Sequence, residues 1–239
     1  MKIIAHRGYS AQFAENTPRS WDAALAAGAH AIETDIRLSS DGIAVCAHDE
    51  DLSRLFDRPE RVSAVTQAEL GALEGRAGAR IARLADALAY AGRGHRLLLD
   101  LKDESPQALD LIWQTIEAAV PQAQHKLVIA GCHSLDAVRF FGAHGATILG
   151  FVPAPEAAEA FRQTGATIIR LWGGDVSPAR VTALQALGAE VWVTSGGDLT
   201  GFDGGDHSGT DLARLAAIGV GGVLVNDVAL AVRQVAALG

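Results

Sequence analysis

A strand, a helix and a second strand are recognisable in the segment RLLLDLKDESPQALDLIWQTIEAAVPQAQHKLVIA, residues 96–130. Arg96 to Leu101 is a short and nearly continuous apolar run, which is typical of a strand in a parallel sheet. Pro106 to Ala119 has apolar residues at helical spacing, and Lys126 to Ala130 returns to the strand pattern. This order predicts a βαβ unit, whose two strands are parallel.

The same alternation continues in both directions and predicts eight strands in all. Eight strand–helix units in a chain of 239 residues favour a closed (β/α)₈ TIM barrel over an open, doubly wound sheet. The predicted strands lie near Ile3–Ala5, Ala31–Leu38, Arg96–Leu101, Lys126–Ala130, Thr147–Val152, Thr167–Trp172, Glu190–Thr194 and Gly222–Val225. The predicted helices include Ser20–Ala27, Pro106–Ala119, Leu135–Ala143, Pro155–Gln163, Pro178–Leu187, Asp211–Ala217 and Val228–Leu238.

One segment departs from this alternation. Gly42 to Ala47 has the pattern of a short extra strand, and Asp51 to Arg80 is charged and irregular, with a small helix near Gln67 to Leu73. We interpret it as an insertion between the second and third barrel strands, approximately residues 39–95. Because no linker, repeat or low-complexity tract occurs, we expect a single barrel domain over residues 1–239.

Composition limits the possible partners. Apolar residues make up 49% of the chain and charged residues 20%, and the formal net charge is −8. An acidic chain is a poor match for nucleic acid or an anionic membrane surface, but a local basic site can still bind a small anion. Cys46 and Cys132 are too few for a disulfide framework. Without a signal peptide pattern or an apolar run long enough to span a bilayer, we expect a cytoplasmic protein with no stable membrane association. A homo-oligomer is compatible with the sequence.

Ionisable residues follow the first barrel strands and the extra strand. In a barrel, groups at the carboxyl ends of the strands lie at the face that holds active sites. Seven such groups are expected to converge there: His6, Arg7, Glu33, Asp35, His48, Asp100 and Lys102.

Two of these groups, Glu33 and Asp35, lie two positions apart on one strand, so their side chains share a face. Two carboxylates held so close need a cation, a shared proton or a substrate partner. Lys102 could supply the partner in a structural ion pair, but the convergence of Arg7 and two histidines favours a bound metal. Carboxylates without thiolates suit a hard cation such as Mg²⁺ or Ca²⁺.

A divalent cation beside arginine and lysine suits a phosphoryl oxygen on which negative charge develops. Two histidines can then deprotonate a nucleophile and protonate a leaving alkoxide. Cleavage of a phosphodiester needs both proton transfers, whereas phosphate binding needs neither. The residues therefore indicate metal-assisted phosphodiester cleavage.

The order of short motifs in the first 102 residues resembles the glycerophosphodiester phosphodiesterase family. These motifs are His6-Arg7-Gly8, Glu15-Asn16-Thr17, Glu33-Thr34-Asp35, His48-Asp49 and Leu99-Asp100-Leu101-Lys102. Each motif alone has little specificity, but the ordered set is specific. The rest of the chain resembles the family through its barrel pattern and its Gly219-to-Asp227 ending.

The resemblance implies hydrolysis of small glycerophosphodiesters to glycerol 3-phosphate and an alcohol, either directly by water or through a cyclic phosphate. It implies one divalent cation, Mg²⁺ or Ca²⁺, with Mn²⁺ a further candidate. It also implies roles for particular residues: metal ligands Glu33, Asp35 and Asp100, an acid–base pair His6 and His48, phosphate-binding Arg7 and Lys102, and Glu15 in the substrate site near the metal or His6.

Three departures from the family pattern bear on these roles. Asp100 stands where the family usually has Glu, and Ala14 stands where it often has Pro. The seventh strand ends in Trp192-Val193-Thr194-Ser195 instead of a Trp-Thr-Val-Asn-like string, and a glycine-rich loop, residues 196–209, follows. Because aspartate is one methylene shorter than glutamate, Asp100 would bind the ion through a water molecule or draw the ion toward itself.

The glycine-rich loop suggests a hypothesis about the substrate. Its Asp198, Asp203 and Asp206 would repel a phosphate but attract a cationic alcohol, and Trp172 could offer that alcohol a ring face. This predicts a preference for a choline- or ethanolamine-bearing diester, with Trp172 in the substrate-binding site. A solvated lid edge is the alternative interpretation of the loop.

Three other functions are compatible with parts of the pattern. A phosphodiesterase with this fold could act on a lysophospholipid or a sugar phosphodiester. A Schiff-base aldolase could use Lys102, but it needs a lysine with a lowered pKa, and carboxylate neighbours favour the charged amine. A non-catalytic phosphate-binding barrel would not need the two histidines.

Overall fold

Eight parallel strands form a closed barrel in the computed structural model, which describes residues 1–197 and 199–238. The structure has nine strands in the described residues, and all but β3 belong to the barrel: β1 (Lys2–Ala5), β2 (Ala31–Leu38), β3 (Ala44–Cys46), β4 (Arg96–Leu101), β5 (Val128–Cys132), β6 (Thr147–Phe151), β7 (Ile168–Trp172), β8 (Glu190–Thr194) and β9 (Gly222–Val225). Their order around the barrel is β1-β2-β4-β5-β6-β7-β8-β9, and β9 pairs with β1 to close it. The predicted fold class is confirmed, and each predicted barrel strand matches an observed one to within two residues.

The helices surround the barrel and alternate with its strands. They are α1 (Pro18–Ala26), α2 (Ser53–Phe56), α3 (Gln67–Ala72), α4 (Leu84–Gly92), α5 (Pro106–Ala119), α6 (Leu135–Ala143), α7 (Ala158–Thr164), α8 (Pro178–Ala186), α9 (Leu212–Ala217) and α10 (Val228–Ala236). None of the helices in the described residues is long and apolar enough to cross a bilayer.

Several helix starts show why the chain leaves each strand sharply. Thr17, Ser105, Ser134 and Ser177 are N-cap residues whose side chains accept a backbone N–H from the first turn. In three of these helices a proline, which is favourable in the first turn, follows the cap. Because the caps fix each helix start, the carboxyl ends of the strands remain uncovered and form one continuous face.

The segment between β2 and β4 contains the insertion that the sequence predicts. Its strand β3 pairs antiparallel with β2, and α2 and α3 pack over an apolar cluster that includes Val45, Leu52 and Leu70. The helix α4 follows and contacts β4 and α5, which is the usual position of a barrel helix. The regular strand–helix alternation therefore resumes near residue 84.

Two apolar layers separate the inside of the barrel from its helices. The outer layer lies between strands and helices, and it includes the buried free thiols of Cys46 and Cys132. The inner layer is formed by Ile4, Ala31, Leu98, Ile129, Leu149, Phe151, Ile168, Trp192 and Leu224. Because strand side chains alternate, the residues two and four positions beyond Ala31 on β2 also point inward. They are Glu33 and Asp35, so the apolar interior ends in carboxylates.

Candidate active site at the carboxyl ends of the strands

Three carboxylates meet above the apolar interior of the barrel. β2 and β4 are paired with Asp35 opposite Asp100, and Glu33 is two residues earlier on β2. One oxygen from each of Glu33, Asp35 and Asp100 lies within 4.8 Å of the others, and the three residues are 1%, 0% and 8% exposed. The sheet register therefore forms the buried acidic cluster that the sequence predicts.

Two basic residues are held against this cluster. The Lys102 ammonium donates to Asp100 Oδ2 at 2.7 Å, and its Nζ lies 3.0 Å from Asp35 Oδ1. The backbone N–H of Arg7 donates to Glu33 Oε2 at 2.6 Å, and the Arg7 Nε lies 3.4 Å from Asp35 Oδ2. The ion pair that the sequence allows for Lys102 is present, and it joins Lys102 to two carboxylates.

The positive charge is unevenly shared among the carboxylates. Burial would raise the pKa of Asp35, but Lys102 and Arg7 outweigh it and hold that pKa far below its usual value. Burial together with the charges of Asp35 and Asp100 raises the pKa of Glu33 well above its usual value. Burial would lower the pKa of Lys102, but Asp35 and Asp100 raise it to about 12. Glu33 is therefore the carboxylate whose charge a further cation would favour most.

The donor set fits a hard divalent cation. It offers carboxylate oxygens from three residues and no thiolate, and the buried Asp35 Oδ1 accepts no hydrogen bond among the described residues. Both oxygens of Asp100 have partners, because Lys102 donates to Oδ2 and His133 Nε2 lies 2.7 Å from Oδ1. A cation held by this cluster would share the Asp100 oxygens with those groups and Asp35 Oδ1 with the Lys102 ammonium, which lies 3.0 Å away.

The Asn16 side chain fixes the orientation of Asp35. Its amide donates to Asp35 Oδ2 at 2.8 Å, and its carbonyl oxygen accepts from the Thr34 hydroxyl and from the Asp35 backbone N–H. Asn16 is 2% exposed and has a positive φ of 55°, a conformation that asparagine tolerates better than most residues. This accounts for Asn16 within the Glu15-Asn16-Thr17 motif.

The His6 imidazole is held by an amide that sequence reasoning did not identify. Asn226, which follows β9, donates from Nδ2 to the Gly204 carbonyl at 3.1 Å, so its Oδ1 faces His6 Nδ1 at 2.8 Å. Oδ1 can only accept, so Nδ1 bears the proton and the lone pair lies on Nε2. Burial and the charge of Arg7 lower the pKa of His6 to about 4. His6 is therefore a neutral imidazole with Nε2 available as a base.

The His48 imidazole has a charged partner instead. It follows β3, and its Nδ1 lies 2.8 Å from Asp49 Oδ1. Two N–H groups of Arg37 donate to the His48 backbone carbonyl at 2.9 and 3.0 Å and fix this part of the insertion against β2. The Nδ1 of His48 faces a carboxylate, whereas the Nδ1 of His6 faces an amide oxygen. The two predicted histidines thus have chemically different environments.

Glu15 contacts two arginines rather than the carboxylate cluster. Arg7 Nη1 donates to both Glu15 oxygens at 3.2 and 3.3 Å, and Arg54 of α2 binds them in a bidentate pair at 2.6 and 3.0 Å. Arg54 Nε also donates to Asp49 Oδ2 at 2.5 Å. Burial would raise the pKa of Glu15, but Arg54 and Arg7 lower it. Glu15 therefore joins Arg7 to the insertion and, through Asp49, to His48.

Trp172 lies at the opposite side of the barrel mouth and is 39% exposed. The guanidinium of Arg170, two residues earlier on β7, lies 4.1 Å from the Trp172 ring centroid and 4.8 Å from that of Phe151. His133 stacks on Phe151 with centroids 4.9 Å apart. The sequence hypothesis placed a cationic alcohol on the Trp172 ring, and the structure places a cation of the protein there.

Two adjoining cavities open over these groups and share His6, Arg7, His48 and Gly204. A cavity of about 140 Å³ is lined by Glu33, Asp100, Lys102, His133, Phe151, Arg170, Trp172 and Thr194 besides the shared residues. A cavity of about 380 Å³ is lined further by Ser10, Glu15, Asp49, Arg54, Asp203 and Asn226. The predicted site residues thus line one continuous mouth or, in the case of Asp35, lie directly beneath it.

The glycine-rich loop contributes only part of what the sequence suggested. Asp203 lines the larger cavity, whereas the Asp206 carboxylate accepts the Ser208 backbone N–H within the loop. Asp198 lies outside the described residues. Gly205 has a positive φ of 84°, and a β-carbon there would collide with the Asn226 side chain. The loop therefore needs glycine at residue 205 to pack against the amide that holds His6.

Sequence reasoning missed several residues of the mouth, among them Arg54, His133, Arg170 and Asn226. Each is a single residue without a characteristic spacing, and each reaches the mouth only when the barrel closes. Position on a strand offered the one usable signal, because Arg170 interrupts the apolar run of β7 and His133 and Asn226 each follow directly after a strand end.

The fold and the site define a (β/α)₈ barrel protein with a buried carboxylate cluster between two histidines at the carboxyl ends of its strands. The family model "Glycerophosphoryl diester phosphodiesterase family" matches residues 6–130, more than half of the chain. The chain belongs to this family.

Individual proteins resemble parts or all of the chain. The Mycobacterium tuberculosis protein named probable glycerophosphodiester phosphodiesterase 1 is 44% identical over 72 residues, which are 30% of this chain and 26% of that protein. A glycerophosphodiester phosphodiesterase of Bacillus altitudinis is 41% identical over 69 residues, 29% of this chain and 28% of that protein. These matches span less than a third of either relative.

The structural match extends over the whole barrel. The structure of an Oleispira antarctica phosphodiesterase in complex with the product sn-glycerol-3-phosphate superimposes with a TM-score of 0.85 and 23% identity. The superposition covers 99% of this chain and 97% of that one. This similarity supports the shared fold.

Proposed function

We propose that this protein hydrolyses glycerophosphodiesters to glycerol 3-phosphate and an alcohol, with one divalent cation. The main observation is that a carboxylate cluster suited to a hard cation opens into one cavity with two histidines whose hydrogen-bond partners differ. Family membership and the glycerol 3-phosphate bound by the Oleispira antarctica phosphodiesterase support the same reaction.

Glu33, Asp35 and Asp100 would hold the cation, either Mg²⁺ or Ca²⁺, with Mn²⁺ as a further candidate. When bound, the cation supplies positive charge to a phosphoryl oxygen during cleavage. Lys102 and Arg7 add positive charge beside the same cluster. Because both are fixed by carboxylates, they can bind a phosphate without first being ordered, which favours electrostatic stabilisation of the transition state.

The partners of the histidines suggest separate roles in proton transfer. His6 has its Nδ1 proton on Asn226 and its Nε2 lone pair available, so we assign it as the general base that deprotonates the nucleophile. His48 is oriented by Asp49 at Nδ1 and lines the same cavity as His6, so we assign it as the general acid for the leaving alkoxide. Glu15 acts as a positioning residue, because it contacts Arg7 and Arg54.

The site does not suit a Schiff-base enzyme that uses Lys102. A Schiff base needs a neutral amine, but the pKa of Lys102 is raised to about 12 by the two carboxylates that outweigh its burial. The fraction of neutral amine at pH 7 is then very small. We therefore propose that Lys102 is an electrostatic group and not a nucleophile.

Product analysis tests the proposed function. Purified protein is incubated with glycerophosphocholine, glycerophosphoethanolamine, glycerophosphoglycerol and lysophosphatidylcholine, and glycerol 3-phosphate from the three soluble diesters is measured with a coupled dehydrogenase. Cleavage of lysophosphatidylcholine leaves an acylated glycerol phosphate, so its turnover is measured as released choline. We expect glycerol 3-phosphate from the soluble diesters and a much lower rate with the His48→Ala variant. Absence of glycerol 3-phosphate with every diester, in folded protein, contradicts the reaction, and faster turnover of the lysophospholipid contradicts the substrate class.

A further inference from the structure

Arg170 is a buried cation whose charge the fold does not neutralise. It points into the barrel mouth from β7, is 6% exposed and lines the smaller cavity. Its Nε and Nη1 are buried and have no hydrogen-bond partner among the described residues. Burial lowers the pKa of Arg170 to about 10, which still leaves it protonated at neutral pH. A buried charge without a partner is unfavourable for folding, so its presence calls for an explanation.

The other basic residues of the mouth differ from Arg170 in this respect. Arg7 pairs with Glu15 and Asp35, Lys102 with Asp35 and Asp100, and Arg54 with Glu15 and Asp49. Within the described part of the chain, Arg170 has no carboxylate at ion-pair distance. Asp100, Asp175 and Glu33 act on its charge only from beyond that distance, so Arg170 is the basic group of the mouth that no carboxylate of the described residues holds in an ion pair.

Aromatic rings hold the Arg170 guanidinium in place without neutralising it. Its Cζ lies 4.1 Å from the Trp172 ring centroid and 4.8 Å from that of Phe151, and His133 stacks on Phe151. Ring faces attract a guanidinium but leave its N–H donors unpaired. This arrangement holds the guanidinium in the wall of the cavity and excludes a second cation from the same ring surface.

Arg170 also lies opposite the groups that we assign to the scissile phosphate. β7 lies across the barrel from β2, because four steps separate the two strands in either direction. β2 provides Glu33 and Asp35. In the proposed function, Lys102 and Arg7 bind the single negative charge of the phosphodiester on the β2 and β4 side. Because Lys102 and Arg7 already adjoin the proposed cation site, a second anionic group of the substrate is the natural partner for Arg170.

We propose that Arg170 is an anion-binding position that selects glycerophosphodiesters with a second negatively charged group, a carboxylate or a phosphate, on the esterified alcohol. Arginine pairs with such groups through strong charge-assisted hydrogen bonds. This inference rests on the proposed function and reverses the expectation of a cationic alcohol at Trp172, because that alcohol would meet the Arg170 charge.

A matched pair of substrates tests the selection. Glycerophosphoinositol and glycerophosphoinositol 4-phosphate differ by one phosphate group, and kcat/KM is measured for both with wild type, Arg170→Gln and Arg170→Lys. We expect wild type to favour the phosphorylated substrate, Arg170→Gln to lower that preference by about tenfold or more, and Arg170→Lys to retain part of it. An unchanged preference, or an equal loss on both substrates, contradicts the proposal. Arg139→Gln, an exposed arginine on α6 that pairs with Asp136, is the surface control.

Two further measurements separate this inference from folding effects and from the proposed function. Because the Arg170 charge has no partner, Arg170→Gln is expected to have a Tm equal to or above that of wild type, and a clear drop in Tm indicates a structural role instead. Binding of glycerophosphoinositol 4-phosphate is then measured by calorimetry in excess chelator. Weaker binding to Arg170→Gln supports the anion position even if wild type hydrolyses no diester, and equal binding contradicts it.

Discussion

The two sides of the barrel mouth differ in whether their basic side chains are paired with carboxylates. On the carboxylate side, formed by β1, β2, β4 and the insertion, Arg7, Arg54 and Lys102 each pair with two carboxylates. On the aromatic side, formed by β5–β8, Arg170 rests between two rings without a carboxylate partner. A fully paired network is rigid and suits chemistry on one fixed group, whereas an unpaired cation suits the recognition of a variable one. The proposed reaction therefore belongs to the first side, and the substrate selection that we infer belongs to the second.

The reach of the family model agrees with this division. It covers residues 6–130, which include the carboxylate side, and it ends within β5. The rings, Arg170 and the glycine-rich loop come later in the chain. The two sides should therefore respond differently to substitution: changes on the carboxylate side should affect every substrate, and changes on the aromatic side should affect substrates unequally.

The largest expected effect is on the carboxylate side. His6→Ala and His48→Ala should each lower kcat by about 10² to 10⁴ for every diester, because each removes one proton-transfer group. Both variants should keep the circular dichroism spectrum and a Tm near that of wild type. Near-normal turnover in both variants would contradict the assignment of the two histidines. A loss confined to one substrate would contradict the expectation that changes on the carboxylate side affect every substrate.

A smaller effect on activity is expected from changing Asn226, which lies between the glycine-rich loop and His6. Asn226→Ala removes the acceptor that keeps the proton on His6 Nδ1, and positioning groups of this kind typically affect activity by about 10- to 100-fold. The loss should appear in kcat, with KM little changed, and the pH dependence of kcat should shift. Ser208→Ala, on the same loop but exposed, is the control. A loss in KM alone would indicate that Asn226 only shapes the loop.

The sequence was sufficient for the barrel and for most of the carboxylate side. Strand ends and helix starts follow from short apolar runs, caps and prolines, which act locally, and the motif residues of β1, β2 and β4 follow from spacing along one strand. α4 was not predicted, because its alanine-rich sequence follows a long charged segment and resembles the end of the insertion.

The rest of the site depends on contacts between distant parts of the chain. Asn226 reaches His6 across 220 residues, and His133 reaches Asp100 across 33, through the closure and register of the barrel. The occupation of the Trp172 ring by Arg170 could not be foreseen either, because both residues point inward from one strand and only their rotamers bring them together. Local patterns therefore predicted which ionisable groups meet at the mouth but not the partners that orient them.

The smallest expected effect is on the thermal stability of the protein, through Arg54, a partly exposed residue of the carboxylate side. Arg54→Met removes the ion pairs to Glu15 and Asp49, which are partly exposed and so contribute about 1 kcal/mol, or a fall in Tm of roughly 2–4 °C at pH 7. Burial acts against ionisation, but Arg54 and the other partners lower the pKa of both carboxyls in the folded protein. This stability is therefore present above the usual pKa values, 4.5 and 3.8, and is lost as the pH falls below them.

Thermal unfolding of wild type and Arg54→Met from pH 7 to pH 3 checks this expectation, and the difference in Tm should shrink as the pH falls. The matched control is Arg61→Met, whose pair with Glu50 is largely exposed and should contribute less. A difference in Tm that does not depend on pH would show that Arg54 stabilises the insertion by packing alone.

Metal reconstitution tests most directly the claim that the carboxylate side performs a metal-assisted reaction. Protein treated with a chelator and then freed of it is assayed for glycerol 3-phosphate release from glycerophosphoglycerol, with Mg²⁺, Ca²⁺ or Mn²⁺ added back singly. The same titrations are made with Asp35→Asn. We expect no turnover without metal, full recovery with at least one ion, and a need for at least tenfold more of that ion in Asp35→Asn. Full turnover by the metal-free protein, or an unchanged ion requirement in Asp35→Asn, would contradict this account.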